Sequence, residues 1–147
     1  MAGTLSVEDR IAIADLYARY AWSLDTRDVE TFATLFADDG AIEMPDVGRF
    51  EGRAEVLRYG RLLTDDPTYP GRQHWIGQSL VEGDSEQCQV RSYGMVTGRS
   101  SDGVSAVRSL GYYTDKLVKV DGQWRFRDRV WQRWGGDILL RFFGTVS

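Results

Sequence analysis

The chemistry available to this chain begins with one imidazole. His74 is the only histidine, and Asp25 is the acid best placed to meet it. Tyr17, Ala21 and Asp25 follow one another at four-residue steps, so Asp25 closes an apolar helical stripe, where a carboxylate is costly to desolvate unless it is paired. His74 opens a strand-like run, sharing a face with Ile76 and Leu80. If the two groups meet, the carboxylate holds one ring nitrogen protonated and leaves the other free as a general base. A plain structural reading stands beside this one: Asp25 ends its helix and His74 is a strand residue near a loop. Tyr20 and Tyr17 share the inward side of the same helix. Each is a candidate phenol donor toward a substrate oxygen, or simply core. Trp75 is a candidate wall for a flat, apolar ligand, as are Trp131 and Trp134.

Other chemistries fare worse. Cys88 follows the strand parity of Val90 and has no adjacent histidine, which reads as an inert buried thiol. One cysteine excludes an intrachain disulfide, and one histidine with one cysteine leaves a zinc site short of ligands. Asp38, Asp39, Glu43 and Asp46 lack the spacing of a calcium loop. No glycine-rich turn opens a helix, so no phosphate cradle is expected. No metal is therefore assigned. Arg125, Arg127, Arg129 and Arg133 alternate along the last strand, opposite Trp124, Phe126, Val130 and Trp134. We read that row as a solvated or subunit-contact surface, not a nucleic-acid face.

The elements that must position these groups come from a change of period. Ser6 can cap a helix through Leu24 and Asp25, with Ile13, Leu16, Tyr17, Tyr20 and Leu24 inward. Asp28 can cap a second helix with Val29, Phe32, Ala33 and Phe36 inward, stopped by Asp38-Asp39-Gly40. A short extended pair is expected near Ala41–Met44 and Gly48–Phe50, and a third helix from about Arg53 to Leu63. From Gln73 onward the pattern is strand-like, and Asp121-Gly122 suits a tight hairpin. Helices first and strands after predict one α+β domain over 1–147, core about 7–134 and tail 135–147, with a strongly curved mixed or antiparallel sheet wrapped against three N-terminal helices as a cone-shaped α+β barrel.

Composition sets outer bounds. In 147 residues, 42% are hydrophobic and 27% charged, enough for a packed core, and the net charge of −4 disfavours a general polyanion binder. The N-terminus lacks a secretory pattern and no apolar run reaches the ~20 residues of a membrane span, so a cytoplasmic, non-membrane protein is expected.

Helix one ending in Asp25, the stretch DVETFATLFADDGAIEM from Asp28, GRAEV from Gly52, QHWIGQSLVEGD from Gln73 and YYTDKLVKVDGQWRF from Tyr112 together resemble the SnoaL-like group of the nuclear-transport-factor-2-like superfamily. The pattern is similar to its cofactor-free lyases: scytalone dehydratase, hexachlorocyclohexane dehydrochlorinase and bile acid 7α-dehydratase. The resemblance implies a His–Asp pair at His74 and Asp25, a catalytic tyrosine at Tyr20, and a substrate-binding arginine at Arg133; Tyr17 and Trp75 remain pocket candidates on residue type and position alone. A cationic position of the dehydrochlorinase is Thr114 here. The same resemblance implies a dehydratase-like lyase, or an isomerase or cyclase, without a cofactor. Its substrate would be small, apolar, cyclic or polycyclic and oxygenated, and the assembly a homodimer or homotrimer. A non-catalytic binding module and the small subunit of a ring-hydroxylating dioxygenase are the alternatives.

Overall fold

The computed structural model describes residues 3–135, so most of the expected tail, 135–147, lies outside the described residues. Helix α1 spans Val7–Asp25 and opens with a capping box: Asp9 N–H donates to Ser6 Oγ, and the Asp9 carboxylate accepts from Ser6 N–H. Such reciprocal caps satisfy donors the first helical turn leaves unpaired, at about 1 kcal/mol. Asp9 also accepts from Trp124 Nε1 at 2.9 Å and pairs with Lys119 Nζ at 2.6 Å. The start of α1 is thereby pinned to the hairpin of the last two strands. Its other end is pinned by Asp25, through contacts with the first long strand.

Helix α2 (Val29–Thr34) is capped by Asp28 and ends two residues earlier than the inward stripe suggests. Phe36 already begins strand β1 (Phe36–Met44), and Asp38-Asp39-Gly40 forms an irregularity inside that strand rather than a helix stop. Gly40 is required there: a Cβ would lie 2.8 Å from two carbonyl oxygens, those of Ala37 and Phe126. Strand β2 (Gly48–Glu51) pairs back on β1, and α3 (Arg53–Thr64) follows, burying Val56 and Tyr59.

Four long strands follow among the described residues: β3 (Gln73–Gly83), β4 (Gln87–Arg99), β5 (Ser105–Val120) and β6 (Gln123–Arg133). The sheet order is β2-β1-β6-β5-β4-β3, with β1 parallel to β6 and every other pair antiparallel. The sheet is mixed and open, with β2 and β3 at its edges, and it packs against three helices as the α+β reading expected. Asp121 and Gly122 both take positive φ, 49° and 79°, as the expected tight hairpin demands. The core lies between the three helices and the sheet, where Tyr20, Phe32, Phe36 and Phe126 meet with ring centroids 5.2–5.7 Å apart.

Two bulges overturn the strand parities expected from alternation. Gln78 adopts φ 51°, and the β3–β4 register slips between Gly77 and Leu80, so Leu80 turns out to solvent and Val81 packs inward. In β6, Lys116 pairs with Asp128 but Leu117 pairs with Phe126, which leaves Arg127 as the extra residue. Every side chain beyond it changes face. Arg129 and Trp131 consequently join Trp124 and Phe126 inside, while Trp134 is half exposed.

Candidate functional site

Asp25 is the last residue of α1 and faces the first residues of the edge strand β3. Its carboxylate accepts the His74 backbone N–H, with Oδ2 at 3.0 Å, and contacts His74 Nδ1 through Oδ1 at 2.6 Å. An edge strand carries backbone donors with no neighbour; here the carboxylate satisfies one and at the same time fixes the ring attached to it. Both side chains are mostly enclosed, at 8% exposure for His74 and 18% for Asp25. Because an ionised carboxylate only accepts, the Nδ1 contact assigns the proton to Nδ1 and leaves the Nε2 lone pair available.

The pair sits in the wall of a groove of about 830 Å³ between α1 and the ends of β3 and β4. Trp22, Trp75, Ile76 and Thr97 line it, and so do Tyr17, Arg72 and Arg99. Trp75 is held in place by Nε1 donating to Thr97 Oγ1 at 3.1 Å.

Tyr20 does not open onto this groove. It is wholly buried, with its ring edge-on to the His74 ring at 6.2 Å and burial raising its phenol above the ordinary value against the opposing charge of Arg129. Tyr17 reaches the groove wall, but its hydroxyl is committed: it donates to Asp115 Oδ2 at 2.5 Å. Its phenol is raised well above the ordinary value, by burial first and then by the Asp115 charge.

Behind Tyr20 lies a buried cation that strand alternation misplaces. Arg129, expected on the solvated arginine row, is fully buried and pairs with Asp115 at 2.5 Å. Its Cζ lies 4.1 Å from the Tyr20 ring centroid and 3.6 Å from that of Tyr113, an aromatic enclosure suited to a guanidinium. Arg129 Nε and Nη2, Asp115 Oδ1, Tyr69 Oη and Ser92 Oγ are buried with no protein hydrogen-bond partner. Burial pushes the Asp115 carboxyl up to about 6, although Arg129 opposes the shift. The usable signal was Asp115 itself: it shares strand parity with Tyr113 and Leu117, so an acid stood in an apolar column.

Arg133 is corrected as well. Exposed, it pairs with Asp46 at 2.5 Å and lines a separate depression with Glu43 and Arg49, away from the His74 groove. Cys88 is buried, and burial raises its thiol to about 12. Among the described residues, no three His, Cys, Asp or Glu side chains converge as a metal site would need, and no helix is long and apolar enough to cross a membrane.

The sequence model of the SnoaL-like domain matches residues 5–130. The chain belongs to the SnoaL-like family. No match is found among curated proteins. Solved structures extend the likeness: a function-unknown protein of Mycobacterium tuberculosis is 28% identical, with TM-score 0.82 over 97% of this chain and 84% of that one. A scytalone dehydratase-like protein of Novosphingobium aromaticivorans is 24% identical, with TM-score 0.77 over 88% of this chain and 86% of that one. The beta subunit of an aromatic-ring-hydroxylating dioxygenase-type protein from the same organism is 22% identical, with TM-score 0.71, covering 83% and 86%. The last two likenesses establish the fold alone. The SnoaL-like fold serves many chemistries, so the function must be argued from the groove.

Proposed function

We propose that this SnoaL-like protein is a cofactor-independent lyase of the dehydratase type that acts on a small, cyclic, oxygenated substrate. The reading rests on the 2.6 Å contact between the sole imidazole and Asp25 at the wall of a groove with aromatic sides. In the proposed step, His74 Nε2 takes the proton from a carbon next to a carbonyl. The electron pair forms a carbon–carbon double bond as the β-oxygen leaves, and the imidazolium returns its proton to that oxygen to give water. Asp25 holds the imidazole in the required tautomer and stabilises the cation formed on it. Tyr20 is assigned a positioning role: it packs edge-on against His74 and is itself backed by the Arg129 charge. The homo-oligomer implied by the family pattern would use the outer sheet face, where Tyr93, Leu110 and Trp134 line an apolar depression.

Deuterium incorporation and water loss from a panel of cyclic β-hydroxy ketones test the step. The wild type is expected to process at least one member and His74→Gln to slow it by about 10²–10⁴-fold, with folding stability lowered by about 1–2 kcal/mol for the lost Asp25 contact. Equal rates in the two proteins would refute His74 as the base. Non-catalytic binding is the second reading, favoured by Tyr20 being sealed from the groove. It predicts that ligands are held by wild type and His74→Gln alike and recovered unchanged.

A further inference from the structure

The rim of the His74 groove carries arginines that form no direct ion pair among the described residues. Many of the other arginines pair with carboxylates, as Arg19, Arg49, Arg53, Arg58, Arg61 and Arg133 do, while others such as Arg125 meet neutral acceptors only. Arg72, Arg99 and Arg108 form none among the described residues. Arg72 donates to Thr68 Oγ1 at 3.1 Å and lies over the Tyr69 ring. Arg99 donates to the Gly103 carbonyl oxygen at 3.1 Å, and Arg108 to the Arg99 carbonyl oxygen at 3.1 Å. Neutral acceptors hold these guanidiniums in place, and of the three Arg72 also feels the Asp66 carboxylate through space.

They also converge. A Cβ built on Gly98 would lie 3.2 Å from Arg108 Cγ and 3.6 Å from Arg72 Cγ, and one built on Gly71 would lie 3.8 Å from Arg99 Cγ. Gly71, Arg72, Gly98 and Arg99 line the groove together with His74, while Arg108 stands behind Gly98. The one acid on the groove lining, Asp25, is already engaged by His74. Beside the cations stand two exposed indoles, Trp22 and Trp75. A guanidinium offers a flat fork of donors matched to carboxylate or phosphate oxygens, and an indole offers an apolar plate.

We infer that the substrate of this site carries an anionic group, a carboxylate or a phosphate, gripped by Arg72 and Arg99 under the added field of Arg108, with its ring system against Trp22 and Trp75. The inference rests on the groove being the substrate site, and it adds the charge of the substrate to the proposed function.

Titration calorimetry with three probes tests it: 2-naphthoate, 2-naphthyl phosphate and the neutral 2-naphthamide. Wild type is expected to bind at least one anion about tenfold or more tighter than the amide, and less tightly as salt rises. The arms decide between carboxylate and phosphate. The double change Arg72→Gln with Arg99→Gln should erase the anion preference and leave amide binding within about twofold, while lysine at both positions keeps part of it. An amide that binds as well as the anions, anion binding that survives the double glutamine change, or no binding of any probe up to millimolar concentration would each overturn the inference. So would tighter binding of a single-stranded oligonucleotide than of the naphthyl anions, lost in the double variant. Binding is read without turnover, so a wild type that holds the anion through both arginines yet eliminates nothing refutes the lyase reading alone.

Discussion

Asp25→Asn is the sharpest test of the geometry, because the chain has a single histidine and its imidazole can be observed without knowing the substrate. The carboxylate serves two donors, the His74 backbone N–H and the Nδ1–H. Asparagine keeps one acceptor oxygen and gains an N–H₂ donor. With its oxygen on the backbone N–H, its amide faces Nδ1, and the ring proton moves to Nε2. The base is then blocked at the nitrogen that must accept a proton. The corresponding change in a Ser-His-Asp triad lowers kcat by about 10⁴-fold; at a site that still opens to a groove we expect about 10²–10⁴-fold. The stability cost is separable. The charge-assisted contacts become neutral hydrogen bonds at a part-buried site, a loss of about 1–1.5 kcal/mol, or roughly 2–6 °C in Tm for a chain of this size. Nitrogen-15 labelling of histidine provides the assay. The wild type should show Nδ1 protonated and Nε2 bare in the neutral ring, and the variant the reverse. Protonated Nε2 in the wild type, or an unchanged tautomer in Asp25→Asn, would refute the account of how Asp25 acts.

The buried charges give two further expected outcomes. Removing one partner of the Arg129–Asp115 pair strands the other in the core, so Arg129→Met alone should cost about 3–5 kcal/mol in urea unfolding. Combining it with Asp115→Leu should recover most of that loss, less about 1 kcal/mol for the Tyr17 hydroxyl that loses its acceptor. Asp115 and Asp9 should also respond to pH with opposite signs. Asp115 has its folded pKa raised from 3.8 to about 6, so it binds its proton more readily when folded and contributes stability that grows as pH falls from about 6 to 4. Asp9 is held below the ordinary carboxylate value, by Lys119 first and then Trp124, so its contribution is present at neutral pH and is lost as pH falls below about 4. Thermal melts of Asp115→Asn and Asp9→Asn across that range should flatten the first and the second limb respectively.

Local chemistry was legible in the one-dimensional pattern wherever a residue's role depends on near neighbours. The Ser6 and Asp28 caps, the inward stripe of α1 and the Asp121-Gly122 hairpin each depend on side chains within a few positions, and each stands where the pattern put it. Helical spacing likewise placed Asp25 at the end of the apolar face, and strand onset placed His74 at the mouth of β3. Their 2.6 Å contact joins residues 49 positions apart, and only the docking of α1 against the sheet edge could establish it. The bulges were the second limit. Alternation assumes an unbroken period of two, so one extra residue at Arg127 moves Arg129 and Trp131 into the core. Arg133 stays exposed, as the arginine row implied, and pairs with Asp46, away from the pocket the resemblance gave it. Composition and period set out the elements and the groups with chemistry to offer. Which of them share a water-poor wall was decided by tertiary packing, because an ion pair or a shared groove is a property of distance in space.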